Sequence, residues 1–533
     1  MKESPVLPVH ESTTGATTLR TLDDLPGPRG LPILGNALDI KPRELHRIVS
    51  GWAEQFGPLY VFRVATTRIL TVADAETIQQ LLRDRPDRFR RWRKAAEILS
   101  DIRADGLFGA EGATWRRQRI FLMHALNASH VREFIPRLEE VAGRLRRRWW
   151  RAAIAGQPVN VHADLMRLTV DVTSGLAFGK DINTLEEKAD PIQIHLDKMF
   201  PAIARRQTAL FPYWRYIALP KDREVENAVK AIGKFIDGLI TETRARLATN
   251  PELRAKPSNL LEVLVAAQET DDGGLSDVEI AANVMTLLLA GEDTTANTIS
   301  YMIHFLMEKA HVQAAVQEEV DRVFGMADQP WEDPKTPDRL KYIEAVANEA
   351  MRCKPVGGHL FLEPNEDVQI RDVFVPKGTP ILALNGHVGT QEVNFSGANE
   401  FRPARWLHAA EESEEERTEA HNTKAFMPFG AGPRFCPGRQ LAMLQIKMVI
   451  AMLCRDFVVS RPKDAPVMED VYQFTVGPTH VYTGLSPRRS IRGGIDIEFR
   501  EKDRRTVMIP IDFPERRVAE RRKQRATSPG GGS

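Results

Sequence analysis

Phe429-Gly430-Ala431-Gly432-Pro433-Arg434-Phe435-Cys436-Pro437-Gly438 sets one cysteine in a glycine-rich turn just ahead of an apolar helical stretch, Leu441 to Leu453. Gly430, Gly432 and Gly438 give the backbone freedom to bend sharply or to approach a flat ligand closely. Pro437 suits the first turn of the helix that follows. A sulfur there faces the positive end of a helix and several unpaired N–H groups, and both favour the ionised, metal-binding form. A lone thiolate held in this way can be the single protein ligand of an iron already bound by four haem nitrogens. The plain alternative is a buried cysteine in a structural bend.

A second segment narrows the choice. Ser276-Asp277-Val278-Glu279 is a capping box, and the apolar pattern after it predicts a helix to about Glu308. At 1.5 Å per residue that is roughly 45–50 Å, enough to cross a domain. Inside it lies Ala290-Gly291-Glu292-Asp293-Thr294-Thr295, four polar residues in an otherwise apolar helix. Gly291 costs about 1 kcal/mol relative to alanine there, which suits close approach of a flat ligand. Thr294 can accept and pass on a proton, and Asp293 can link that hydroxyl to bulk water. A solvent-facing stripe is the alternative for this segment taken alone.

Glu349-Ala350-Met351-Arg352 places a carboxylate and a guanidinium three residues apart on one helical face. Such a pair is ordinarily a surface ion pair worth a few tenths of a kcal/mol. Arg405, in Phe401-Arg402-Pro403-Ala404-Arg405-Trp406, can complete a buried triad with it. Trp115 and Arg119, at i and i+4 in Trp115-Arg116-Arg117-Gln118-Arg119, can both donate to a carboxylate.

The remaining chain sets bounds. Its 533 residues are 42% hydrophobic and 27% charged with a net charge of +1, ordinary for a globular protein and poor for nucleic-acid binding. Cys353, Cys436 and Cys454 show no CxxC spacing, which fits a reducing compartment and suggests no zinc site. The N-terminus lacks the apolar core of a signal peptide, and no stretch is long enough to span a bilayer, so a soluble cytoplasmic chain is expected. Residues 1–24 read as a disordered tail, 25–490 as one domain, and 491–533 as a charged, partly disordered extension. Within the domain the patterns predict a hairpin at Leu59–Val64 and Arg68–Val72, and a helix from Pro337 to Lys354. Short strands are expected at Val368–Ile370, Val373–Val375 and Thr379–Leu384, with a β-rich patch between Val471 and Leu485.

FxxGxxxCxG around Cys436, AGxDTT at Ala290 to Thr295, ExxR at Glu349 to Arg352 and WxxxR at Trp115 to Arg119 occur in one order. From about Leu25 to Arg488 the sequence resembles the cytochrome P450 superfamily, of the soluble bacterial type. The resemblance implies a mainly α fold with small β-sheets (α+β), as a single large domain holding haem b, iron protoporphyrin IX. It makes Cys436 the axial iron ligand, Phe429 the ring beside the thiolate, and Trp115, Arg119 and Arg434 the partners of the haem propionates. Gly291, Gly430 and Gly438 then flank the macrocycle. Asp293 and Thr294 deliver protons, and Glu349, Arg352 and Arg405 form a structural triad. Phe108 (in Asp105-Gly106-Leu107-Phe108), Ala290, Gly357 and Phe474 match pocket-lining positions. Two departures stand out. Family members often have proline near Gly358, and many carry an arginine propionate contact close to Glu363; here the Gly357-Gly358 pair should loosen the loop and one propionate contact is lacking.

The implied activity is a haem-dependent monooxygenase that inserts one atom of O2 into an apolar organic substrate such as a fatty acid, terpenoid or steroid. No flavin or iron–sulfur segment follows the domain, so electrons are expected from a separate ferredoxin or flavodoxin with its reductase, docking near Arg116, Arg117 and Arg439. A peroxide-driven peroxygenase is one rival, and members of that type usually replace the acid–alcohol pair. A non-catalytic haem-thiolate binding or sensor protein is the other.

Overall fold

Ser276 opens the long helix as its sequence predicts. Its hydroxyl accepts from the Glu279 amide at 3.3 Å, and the Glu279 carboxylate accepts from the Ser276 amide at 2.9 Å. The helix then runs Asp277–Glu308. The computed structural model in which it is seen describes residues 19–186, 191–255, 257–269, 274–325, 331, 333, 335–407 and 421–488. The charged extension at 491–533 lies outside the described residues, as does the first part of the N-terminal tail.

Two apolar cores meet on this helix. Ile280, Val284, Met285, Leu288 and Leu289 pack with Val170, Ala177, Phe200, Ile203 and Ile236. Ala296, Ile299, Met302, Ile303 and Leu306 pack with Leu165, Leu168, Trp149, Leu444 and Val449. The polar segment at 290–295 falls between the two, where neither core claims it. Helix Val161–Phe178 lies along the long helix and supplies side chains to both cores.

The cysteine helix spans Arg439–Asp456, two residues earlier and three later than its apolar pattern suggests. Gly438 is its N-cap, so Pro437 precedes the helix instead of occupying its first turn. The helix expected from Pro337 to Lys354 is two helices, Thr336–Arg339 and Lys341–Cys353. Buried Leu340 breaks them at φ −89°, ψ 70°, and the Glu319 carboxylate caps the second by accepting from the amides of Tyr342 and Ile343.

Strands are few and short. The predicted hairpin, Leu59–Val64 with Thr67–Val72, forms one side of a five-stranded sheet. Ile381–Ala383, Leu360–Pro364 and Phe89–Arg91 complete it, with Arg91 opposite Leu362. Val368–Ile370 and Val373–Val375 are strands as expected and pair with each other, and the β-rich patch resolves into Asp470–Tyr472, Val476–Pro478 and Tyr482–Pro487. The fold is thus mainly helical with small sheets. Residues 19–24, assigned above to the tail, are engaged: Arg20 bridges Val373 and pairs with Asp372 at 2.6 Å, and Leu22–Asp24 form a 3-10 turn. Among the described residues no helix is long and apolar enough to cross a membrane.

Candidate functional site

A cavity of about 350 Å³ opens between the long helix and the cysteine turn. Ala290, Gly291 and Thr294 face it from one side; Phe429, Gly430, Cys436 and Gly438 face it from the other. Trp115, Arg119 and Arg434 border it, with Phe108 and Gly357 on its apolar wall. Four segments distant in sequence therefore share one space.

Cys436 owes its position to the turn. Its amide donates to Phe429 O at 2.9 Å, closing the loop back on itself. Gly430 (φ 74°) and Gly432 (φ 68°) sit in the left-handed region, and a β-carbon on Gly432 would lie 2.4 Å from Leu82 O. These glycines serve the turn and its packing; a β-carbon on Gly438 would meet Cys436 Sγ only at an ordinary 3.8 Å. Cys436 keeps accessible surface because its sulfur faces the cavity, yet protein surrounds it closely enough that burial pushes its thiol up. The amides of Gly438 and Arg439 and the charge of Arg119 pull the other way without prevailing. A desolvated sulfur of this kind becomes a thiolate when a metal cation shares its charge.

The cavity edge carries an excess of positive charge that the sequence did not reveal. Arg85, Arg91 and Arg434 surround a single carboxylate, Glu111. Glu111 Oε1 accepts from Arg434 Nη1, from Arg85 Nη2 at 3.4 Å and from the Arg91 amide at 2.9 Å. Glu111 Oε2 and Arg85 Nε are buried without a partner among the described residues. Burial and mutual repulsion bring Arg85 down to about 10 and hold Arg91 well below the usual arginine range. Arg119 adds a fourth guanidinium, donating to Phe435 O at 2.7 Å, and Arg434 lies 5.0 Å over the Trp115 ring. Four cations, three with buried side chains and Arg119 half-buried, against one carboxylate suit a ligand with two carboxylates.

Thr294 lines the cavity, its hydroxyl donating to Ala290 O at 2.9 Å. Asp293 lies behind it, accepting from Asn297 Nδ2 at 2.9 Å and from the Thr475 hydroxyl. Burial, aided by the charge of Asp197, pushes Asp293 up to about 7 against the Asn297 hydrogen bond, although the residue keeps some accessible surface. Gly291 borders the cavity for a different reason than expected. A β-carbon there would lie 2.6 Å from Thr173 Oγ1, so the glycine lets helix Val161–Phe178 approach.

Comparison with known proteins agrees with this geometry. The cytochrome P450 family model matches residues 25–482. The chain belongs to the cytochrome P450 family. Relatives include cytochrome P450 3A28 of Bos taurus, 25% identical over 84% of this chain and 87% of that protein. Protein LUTEIN DEFICIENT 5, chloroplastic, of Arabidopsis thaliana is 27% identical over 81% and 71%. The self-sufficient cytochrome P450 monooxygenase CYP505E3 of Phanerodontia chrysosporium is 27% identical over 87% of this chain but 43% of its own length.

This P450 is a haem monooxygenase whose cofactor is haem b. The residues present fit that group: one sulfur faces the cavity, and the guanidinium excess meets the charge of two propionates. The arginine lacking near Glu363 has a counterpart on the neighbouring strand. Arg91, opposite Leu362, lines the cavity, whereas Glu363 is taken up by Arg90 at 3.2 Å and Arg93 at 3.7 Å.

Two expectations about the P450 pocket are corrected. The Gly357-Gly358 loop is anchored: Gly386 N donates to Gly358 O at 3.1 Å and Asn385 Nδ2 to Gly357 O at 3.0 Å. Without β-carbons, Gly358 and Gly386 press together beside Pro355, which replaces the stiffness of a proline in the loop. Phe474 does not border the cavity; it packs edge-on against Phe108 at 5.7 Å. Phe108 is itself held by the Arg91 guanidinium, 3.8 Å from its centroid.

Glu349 and Arg352 are no surface pair, since both side chains are 0% exposed. Glu349 Oε1 accepts from Arg352 at 2.8 Å and Arg405 at 3.1 Å, and Oε2 from Trp406 Nε1 at 2.8 Å. Trp406 is a fourth member of the group, visible in the sequence only as the neighbour of Arg405.

Proposed function

We propose that this P450 oxygenates a mainly apolar organic molecule, such as a fatty acid, terpenoid or steroid, with electrons from a separate ferredoxin or flavodoxin and its reductase. The observation that carries the reading is one cavity with Cys436 on one side, Thr294 on the other, and Leu107, Phe108, Leu287, Val356 and Leu360 on its walls. Cys436 is the iron ligand in this account. Trp115, Arg119, Arg434, Arg91 and Arg85 hold the propionates, and Phe429 shields the sulfur. Bound haem supplies the activation of dioxygen.

The protein's own work is then to exclude water with the apolar wall, to orient the substrate against Phe108, and to move protons. Thr294 holds a proton at Oγ1 facing the cavity, and Asp293 replaces it from behind. With burial bringing Asp293 near neutrality, it can both give and take a proton at physiological pH. This pair favours O2-driven turnover over the use of peroxide. For the electron donor, Arg439 is exposed beside the cysteine turn, while Arg116 and Arg117 are already paired with Asp87 and Glu279. Arg439 is accordingly the stronger docking candidate of the three.

The test is the reduced, carbon monoxide-bound spectrum of wild type and Cys436→Ser, followed by a substrate library scored for the low-spin to high-spin shift. A thiolate-type spectrum that survives the substitution contradicts the assignment of Cys436. A thiolate-type wild type that yields no product across the library contradicts the monooxygenase reading.

A further inference from the structure

Glu292 lies beside the Asp293–Thr294 pair in unusual surroundings. It is 0% exposed, and neither carboxylate oxygen has a hydrogen-bond partner among the described residues. Leu288 and Leu289, one turn before it, pack with Leu196 and with Val170 and Ala177 of helix Val161–Phe178. Two hydroxyls on that helix, Thr173 Oγ1 and Ser174 Oγ, are likewise buried and unpartnered. Thr173 faces the backbone at Gly291, next to Glu292. The charged groups bearing on Glu292 are both acids: Asp293 on its own helix, and Asp197, which follows Leu196 and is exposed. Arg167, on helix Val161–Phe178, bears on Asp197.

An ionised carboxylate without a donor or a cation costs several kcal/mol in such a place, so Glu292 stands as a neutral acid. A leucine would fill an apolar contact without that cost. A buried acid beside a catalytic acid has chemical use instead.

We propose that Glu292 is the internal proton store that resupplies Asp293, with Asp197 as its connection to solvent. The inference rests on Asp293 and Thr294 delivering protons. Side chains at successive helix positions diverge by about 100°, so residues 292 and 293 do not face each other and a carrier is needed between them. Water bridging the orphaned oxygens of Glu292, Thr173 and Ser174 is the carrier. The Glu292 carboxylic acid gives its proton through that water to the Asp293 carboxylate. The resulting Glu292 carboxylate takes a proton from solvent by way of Asp197, so one proton moves inward and each acid is restored.

Infrared spectroscopy of the haem-loaded protein tests this at pH 7. Wild type shows the carbonyl stretch of a neutral carboxylic acid that shifts in D2O and is absent in Glu292→Gln. Labelling glutamate with ¹³C moves the same band, which assigns it to a glutamate even if the variant folds poorly. Asp197→Asn slows the deuterium shift about tenfold, and Glu292→Gln lowers coupled turnover about threefold to tenfold, less than the 10²–10⁴ of a group transferring the proton itself. A wild type without a neutral glutamate band, or with an exchange rate indifferent to Asp197, overturns the proposal. If Asp293→Asn also leaves coupling unchanged, the proton-delivery reading fails with it; if Asp293→Asn uncouples turnover and Glu292→Gln does not, only the Glu292 proposal falls.

Discussion

Glu349 and Glu111 each gather arginines, and the two clusters differ in completeness. Around Glu349 both guanidiniums are themselves satisfied. Arg352 also donates to the carbonyls of Gly389, Ala398 and Glu400, and Arg405 to those of Ser396 and Gly397. Around Glu111 the guanidiniums of Arg85 and Arg434 share one carboxylate with Arg91 close by, one of its oxygens is orphaned, and the Arg85 Nε has no partner among the described residues. The first cluster has its hydrogen bonds met within the protein. The second is left with positive charge in excess beside the cavity, which suits the propionates of haem. Buried guanidiniums whose hydrogen bonds the protein itself meets are structural, whereas those that leave orphaned atoms and gather more charge beside a cavity are an address for a ligand.

Glu349→Gln breaks the complete cluster and should have the largest effect. It leaves two buried guanidiniums without a counter-charge, and the haem-free protein should lose about 3–5 kcal/mol in denaturant unfolding. Asp293→Asn tests the acid between the two cores. A carboxyl raised from about 4 when unfolded to about 7 when folded leaves the native state binding the extra proton, so its contribution to stability falls as pH rises through that window. Wild type should therefore lose on the order of 3 kcal/mol relative to Asp293→Asn between pH 4 and pH 7, read from paired unfolding curves. Gly291→Ala comes next. Its β-carbon meets Thr173, costing about 1–3 kcal/mol, and Thr173→Ala in the same chain should recover most of that loss.

The sequence made the backbone of this site legible where local chemistry decides. The Ser276–Glu279 capping box marked the start of the long helix, and alternation at Leu59–Val72 marked a hairpin. Cys436, Thr294, Trp115 and Arg119 were recognisable because each motif is short and self-contained. Arg85, Arg91 and Glu111 were not, because Arg88-Phe89-Arg90-Arg91 looks like a solvated basic run. Only strand pairing with Leu360–Pro364 turns Arg91 inward while Arg90 meets Glu363. The role of Gly291 was hidden for the same reason: the surface it approaches belongs to another helix. The break at Leu340 was invisible because its cause, Glu319, lies 21 residues upstream. Tertiary partners, not local propensity, decided each miss.

The contrast between the two arginine clusters is tested most directly by Arg91→Met, which keeps the stem packed against Phe108 while removing one cation. Haem dissociation and haem-free stability are measured on the same preparations. Haem loss should be about tenfold faster, near 1.4 kcal/mol of binding, with a haem-free protein as stable as wild type or more so. A haem-free Arg91→Met destabilised as much as Glu349→Gln, with haem retention unchanged, would contradict it.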